Sequence, residues 1–115
     1  MKVVFMGTPV WASFYLDAIR RAGGQIPLVI TQPDRPRGRS RKPQPPPVKE
    51  KALEMDLQIH QPENVNTPES IERIDHVEPD FFLVVAYGQI LDEGLLEIPA
   101  VEPLNVHYSL LPKLR

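Results

Sequence analysis

KVVFMGTPVWASFYLDAIRRAGG, residues 2–24, is the stretch whose reading decides the fold. Lys2 to Met6 is a short run of β-forming apolar residues that enters a tight turn, Gly7-Thr8-Pro9. Beyond the turn, apolar residues recur at Trp11, Phe14, Tyr15, Ala18, Ile19 and Ala22, at offsets of 3, 4, 7, 8 and 11 from the first. That period is one face of a helix, so Trp11, Phe14 and Tyr15 are expected in the core. Thr8 is expected to cap the helix with Pro9 in its first turn, and Gly23 and Gly24 stop it behind Arg20 and Arg21. Strand, turn and helix together make the opening unit of an α/β sheet.

The same alternation continues along the chain. Pro27 to Thr31 reads as a second buried strand, Val48 to Asp56 as a short helix, and Leu57 to His60 as a brief third strand. Thr67 and Pro68 open another helix with Ile71, Ile74 and Val77 inward. FFLVVA, Phe81 to Ala86, is a continuous apolar run of the kind buried on both faces. A short helix near Ile90 to Glu97 leads to the last strand, Leu104 to His107. Strands alternating with helical crossovers imply a doubly wound, mostly parallel sheet, with ligands at the carboxyl ends of its strands near the switch point. Gly7, Tyr87 and His107 all follow such ends. Ending on what should be an inner strand leaves a sheet edge unpaired, which predicts poor stability or self-association of residues 1–115 alone.

Composition narrows the class. The chain has 115 residues, 42% hydrophobic and 24% charged, enough for one core. No apolar run approaches the roughly 18 residues of a membrane-spanning helix, and the amino terminus lacks the pattern of a signal peptide, so a cytoplasmic protein is expected. The absence of cysteine removes disulfides, thiolate metal sites and a cysteine nucleophile. The imidazoles are His60, His76 and His107; the first two have no catalytic setting and are expected at the surface.

Charge is uneven despite a net value of −2. Arg35, Arg37, Arg39, Arg41 and Lys42 fall within eight residues that contain no acid, and six of the 14 prolines lie between Pro33 and Pro47. Prolines exclude helix and central strand there. A stiffened loop carrying guanidinium forks suits phosphate oxygens, and a nucleic-acid backbone is its natural partner. The single-glycine turn at Gly7 lacks a dinucleotide fingerprint. It reads either as a tight turn or as a site where backbone N–H groups meet an anionic or polar substrate group. In the last strand Asn105 and His107 project from one face, with Val106 on the other. An amide and an imidazole so placed can hold a carbonyl oxygen and move a proton, although an N-x-H pair alone is also compatible with a structural role.

In combination these segments resemble a known family. NVHYSLLPKLR (105–115) and VVAYGQIL (84–91) resemble the N-x-H…S-L-L-P-x-x-R segment and the folate-side turn of the formyltransferases that use 10-formyltetrahydrofolate. MGTP (6–9) followed by TQPDRPRGRSRKPQPPPVK (31–49) resembles the branch acting on initiator methionyl-tRNA. The resemblance implies a Rossmann-like formyltransferase domain of which 1–115 is the amino-terminal portion, its remainder and a tRNA-binding domain lying beyond. It implies that Asn105 and His107 are catalytic, and that Ser109, Leu110, Leu111, Pro112, Gln89, Ile90, Leu91 and Leu104 line the folate pocket. It further implies that Gly7, Thr8, Arg35, Arg37, Arg39, Arg41 and Lys42 meet the tRNA, with no metal and a monomeric full-length enzyme. Val10, Trp11, Tyr108 and Leu114 depart from the family's usual residues. The family's catalytic aspartate would lie downstream of Arg115, so 1–115 alone is expected to be inactive. The rival expectation is a non-catalytic module that binds folate or tRNA.

Overall fold

The computed structural model describes residues 1–39 and 41–106. Five strands, β1 (Lys2–Gly7), β2 (Gln25–Ile30), β3 (Ile59–His60), β4 (Phe81–Val85) and β5 (Glu102–Val106), form one parallel sheet in the order β3-β2-β1-β4-β5. The chain steps outward from β1 to β3, then returns across the sheet to β4, so the winding reverses between β1 and β4. Helices α1 (Val10–Arg21) and α2 (Pro47–Glu54) cover one face; α3 (Pro68–His76) and the short α4 (Glu93–Leu96) cover the other. The doubly wound expectation therefore holds. Among the described residues no helix is long and apolar enough to cross a membrane.

Alternation along the central strands sorts the core into two layers. Val4, Met6, Leu28, Ile30 and Phe82 face α3 with Ile74, whereas Phe5, Val29 and Val85 face α1 and α2 with Leu16, Val48 and Ala52. One departure from strict alternation has a local cause. The β1–β2 register runs from Lys2 opposite Gln25 to Val4 opposite Leu28, so β2 carries one extra residue there. Pro27, which has no N–H to give, lies in that irregularity, and Ile26 consequently faces α1 while Leu28 faces α3.

Several boundaries and faces differ from expectation. Helix α1 buries Ala12, Ser13 and Leu16, flanked by Trp11, Tyr15 and Ile19, whereas Phe14 is 63% exposed. At about 100° per residue Phe14 lies about 200° from Ala12, on the far side of the helix. Small residues at Ala12 and Ser13 let the helix lie close to the sheet, and this contact sets its rotation. Leu57 does not begin β3, because its N–H bonds back to the Ala52 carbonyl at 2.9 Å and closes α2. Strand β4 buries only Phe82 and Val85 fully, since its neighbour β5 is itself largely exposed. The α3 start is as expected: Thr67 Oγ1 accepts the Ser70 N–H at 3.3 Å and Pro68 occupies the first turn.

His60 is half-buried and hydrogen-bonded rather than a free surface residue. Its Nε2 lies 2.8 Å from Ser70 Oγ and its Nδ1 3.2 Å from Arg73 Nη1. Because a guanidinium only donates, Nδ1 is the acceptor and Nε2–H donates to Ser70. The ring is thus a neutral clasp between β3 and α3, while His76 is exposed as expected. Burial, then the Arg73 charge, hold the His60 imidazolium below its ordinary 6.5, with Glu69 opposing. Below pH 6.5 the unfolded chain takes up this proton before the folded one does, so stability falls on acidification until the folded value is passed. The thermal midpoint is expected to drop as the pH falls below 6.5, and His60→Gln to flatten that dependence; equal slopes in both proteins would refute the clasp.

Candidate active site at the carboxyl ends of β1, β4 and β5

The site begins where β1 and β4 end side by side. Gly7 pairs with Val85, and a Cβ built on Gly7 would stand 2.7 Å from the Val85 carbonyl oxygen and 2.9 Å from the Phe5 ring. Only glycine fits this approach. Immediately beyond, Thr8 Oγ1 donates to the Tyr87 carbonyl at 2.8 Å, and the Thr8 carbonyl accepts the Val48 N–H at 3.3 Å. Thr8 therefore does not cap α1, whose N-cap is Pro9 with no side-chain hydrogen bond. The hydroxyl is used instead to tie the two strand ends together across the switch point.

After β4 the chain makes a constrained turn. Ala86 has φ 53° and Gly88 φ 99°, both in the left-handed region, and Tyr87 between them is buried. Burial pushes the Tyr87 phenol well above its ordinary value, and its hydroxyl has no partner among the described residues. Gln89 follows and spends its amide within the protein: Oε1 accepts the Val65 N–H at 2.8 Å, while Nε2 donates to Gln32 Oε1 at 2.9 Å and to the Pro62 carbonyl at 3.1 Å. Ile90 then stands 87% exposed, with Leu91 half-buried beside it.

Asn105 in β5 pairs with Val84 and so lies next to this turn. With Val84 and Gln89 it forms the shared wall of two depressions of about 330 Å³ each, one lined further by Ile90, Leu91 and Leu96, the other by Trp11, Ala86, Tyr87 and Gly88. Leu104, one residue earlier, projects to the opposite face by alternation. At the sheet edge it borders both the Leu91 groove and an apolar groove beside α1, with Tyr15 and Ile19. His107, Ser109, Leu110, Leu111 and Pro112 lie outside the described residues.

The basic segment has an ordered root. Arg35 and Gln44 form an antiparallel bridge with N···O distances of 3.1 and 2.9 Å, and Arg37 Nη2 donates to the Pro45 carbonyl at 3.1 Å. Asp34 is gripped by Gln61 Nε2 at 2.7 Å and by Lys49 Nζ at 3.1 and 3.2 Å. The Gln61 amide first, and Lys49 with it, hold that carboxyl below its ordinary range. Arg39, Arg41 and Lys42 are exposed. The Arg35–Glu63 pair, 3.7 Å apart and exposed, contributes little. A groove of about 500 Å³ runs between this root and the first turn, lined by Thr8, Pro9, Gln32, Arg35, Arg37 and Pro46 among others. The loop and the Gly7–Thr8 turn, distant in sequence, thus share one groove. Gln32, Asp34, Gln61 and Asn66 were not singled out from the sequence; a lone acid at the root of a basic run is the one signal that could have marked Asp34.

The whole chain, residues 1–115, matches the family model described as formyl transferase. The chain belongs to the formyl transferase family. Methionyl-tRNA formyltransferase of Trichlorobacter lovleyi is 50% identical over 114 residues, 99% of this chain and 36% of that protein. Methionyl-tRNA formyltransferase of Geobacter sulfurreducens is 47% identical over 115 residues, 100% of this chain and 36% of that protein. The chain therefore spans just over a third of the length of these curated relatives. Glycinamide ribonucleotide transformylase 1 of Geobacillus kaustophilus superposes with a TM-score of 0.68 at 17% identity, over 97% of this chain and 60% of that one. This likeness shows a shared formyl transferase fold.

In that fold the Gly7 contact is a test of the strand-end geometry. Gly7→Ala is expected to destabilise by roughly 1–3 kcal/mol through overpacking against the Val85 carbonyl, read from denaturant unfolding. Unchanged stability would mean that β1 and β4 are free to separate there.

Proposed function

We propose that the protein carrying this chain transfers a formyl group from 10-formyltetrahydrofolate to the α-amino group of initiator methionyl-tRNA. The observation that carries the reading is the position of Asn105, whose amide walls both the groove beside Ile90 and Leu91 and the depression reaching the β1–β4 switch. A largely apolar groove with the Asn105 amide at its edge, the Gln89 amide being spent within the protein, suits a flat pteridine whose formyl oxygen needs a donor. The cationic loop and the Gly7–Thr8 turn share a groove suited to an anionic acceptor stem and its terminus. The identity to methionyl-tRNA formyltransferases along the full chain favours that acceptor.

The chemistry follows from these placements. The free amine attacks the formyl carbon, forming a C–N bond and a tetrahedral oxyanion. Asn105 Nδ2–H donates to that oxygen, an interaction that strengthens as charge develops. Collapse breaks the bond to the tetrahydrofolate nitrogen, which leaves with a proton while the new amide nitrogen loses one. His107 is the group assigned to this proton movement. The remaining folate contacts are assigned to Ile90, Leu91, Leu104 and Ser109 to Pro112, with Gln89 contributing backbone because both its amide N–H groups are already used. The location that fits this role is the cytoplasm.

Formylation of methionyl-tRNA by the protein that carries these residues tests the proposal. Asn105→Ala is expected to lower kcat by about a hundredfold or more, with glycinamide ribonucleotide unreactive in either form. Undiminished turnover in the variant, or formylation of glycinamide ribonucleotide in preference to methionyl-tRNA, would contradict it.

A further inference from the structure

We infer that Asn66 is a positioning residue for the formyl-donor groove. Its planar amide bridges the backbone of the wall formed by residues 90–92. Asn66 Nδ2 donates to the Ile90 carbonyl at 2.8 Å, and Asn66 Oδ1 accepts the Asp92 N–H at 3.0 Å. One side chain thus satisfies two main-chain groups on either side of Leu91 and fixes their separation. The inference rests on the formyl-donor reading of the groove beside Leu91.

Besides Asn66, the wall is held by Leu91, which packs against the core beside Leu95, and by the Asp92 carbonyl, which accepts the Leu95 and Leu96 N–H groups at 3.1 Å. Ile90 is 87% exposed, so packing of its side chain does not locate it, and its carbonyl and the Asp92 N–H both go to Asn66. Upstream, the turn is secured through Gln89 and through Gly88, where a Cβ would lie 2.6 Å from Gln32 Nε2. Gln89 fixes where the wall starts, and Asn66 fixes how far it stands from Asn105 across the groove.

Asn66 is itself well placed for this. Its N–H donates to Asn64 Oδ1 at 2.9 Å, its predecessor Val65 is fully buried with its N–H held by Gln89, and its successor Thr67 caps α3. The amide therefore projects from a braced segment. The residue type matters for a simple reason: aspartate cannot donate to the Ile90 carbonyl, serine lacks the second arm, and glutamine adds a rotatable bond.

The test separates donor from acceptor. In the intact protein, Asn66→Ala, which removes both hydrogen bonds to the wall, is expected to raise the KM for 10-formyltetrahydrofolate roughly tenfold. The KM for methionyl-tRNA and the thermal midpoint should stay near the parent values. Direct titration with a non-reactive analogue of 10-formyltetrahydrofolate should show the same weakening. Asn66→Asp, which keeps the acceptor for Asp92, should also bind the analogue more weakly than the parent, so the inference survives a loss of folding in the alanine variant. An unchanged donor KM, or donor and acceptor KM rising together, would overturn the inference and leave the proposed function standing. A parent protein that neither binds the analogue nor uses the donor would overturn the function, and this inference with it.

Discussion

The hydrogen bond from Thr8 to the Tyr87 carbonyl, made possible by the close approach of Gly7 to Val85, is the contact on which the rest of the molecule's working end depends. In a doubly wound sheet the two strands at the switch point send their following segments to opposite faces, which leaves a crevice at their carboxyl ends. Here the crevice floor is pinned. The same threonine accepts the Val48 N–H through its carbonyl, so the end of β1, the end of β4 and the start of α2 meet at one residue. A larger residue at position 7 would push apart the strands whose ends carry the first turn and the constrained turn after β4.

From that pinned floor, the basic loop and the turn after β4 diverge and are braced by one connection. Residues 61–66 grip the root of the basic loop through Gln61 and Asp34, and hold the turn after β4 through Val65 and Asn66. Gln32 joins the two, accepting Gln61 at its carbonyl and Gln89 at its side chain. Proline in the loop root restricts the backbone there. The site is therefore built mainly by side-chain amides bonding to backbone, with Asn105 presented on a strand beside it.

Much of this was legible in the sequence wherever the signal was local. The strand-turn-helix at residues 2–24 and the Thr67–Pro68 helix start each announce themselves within a few residues. The rotation of α1 was legible only in part: Trp11, Tyr15 and Ile19 pack against the core as the stripe implied, but Ala12 and Leu16 take its centre while Phe14 and Ala18 are exposed, and only contact with the sheet decides between them. His60 was misread because its partners, Ser70 and Arg73, come ten and thirteen residues later on another element. Gln89 was marked as a pocket residue from resemblance, yet its side chain works on Gln32, 57 positions away. Asn105 drew notice by its residue type in an apolar strand, and the strand is where it was expected; the amide brace beside it was not legible, since each bond joins residues that no local pattern relates.

The most direct measurement is a crystal structure of the protein bound to a non-reactive analogue of 10-formyltetrahydrofolate. The pteridine should lie against Ile90 and Leu91, with the formyl oxygen within hydrogen-bonding distance of Asn105 Nδ2. An analogue seated instead in the apolar groove beside Tyr15 and Ile19, or between Pro9 and the basic loop, would contradict the assignment of the β4–β5 edge as the place where the formyl group is held.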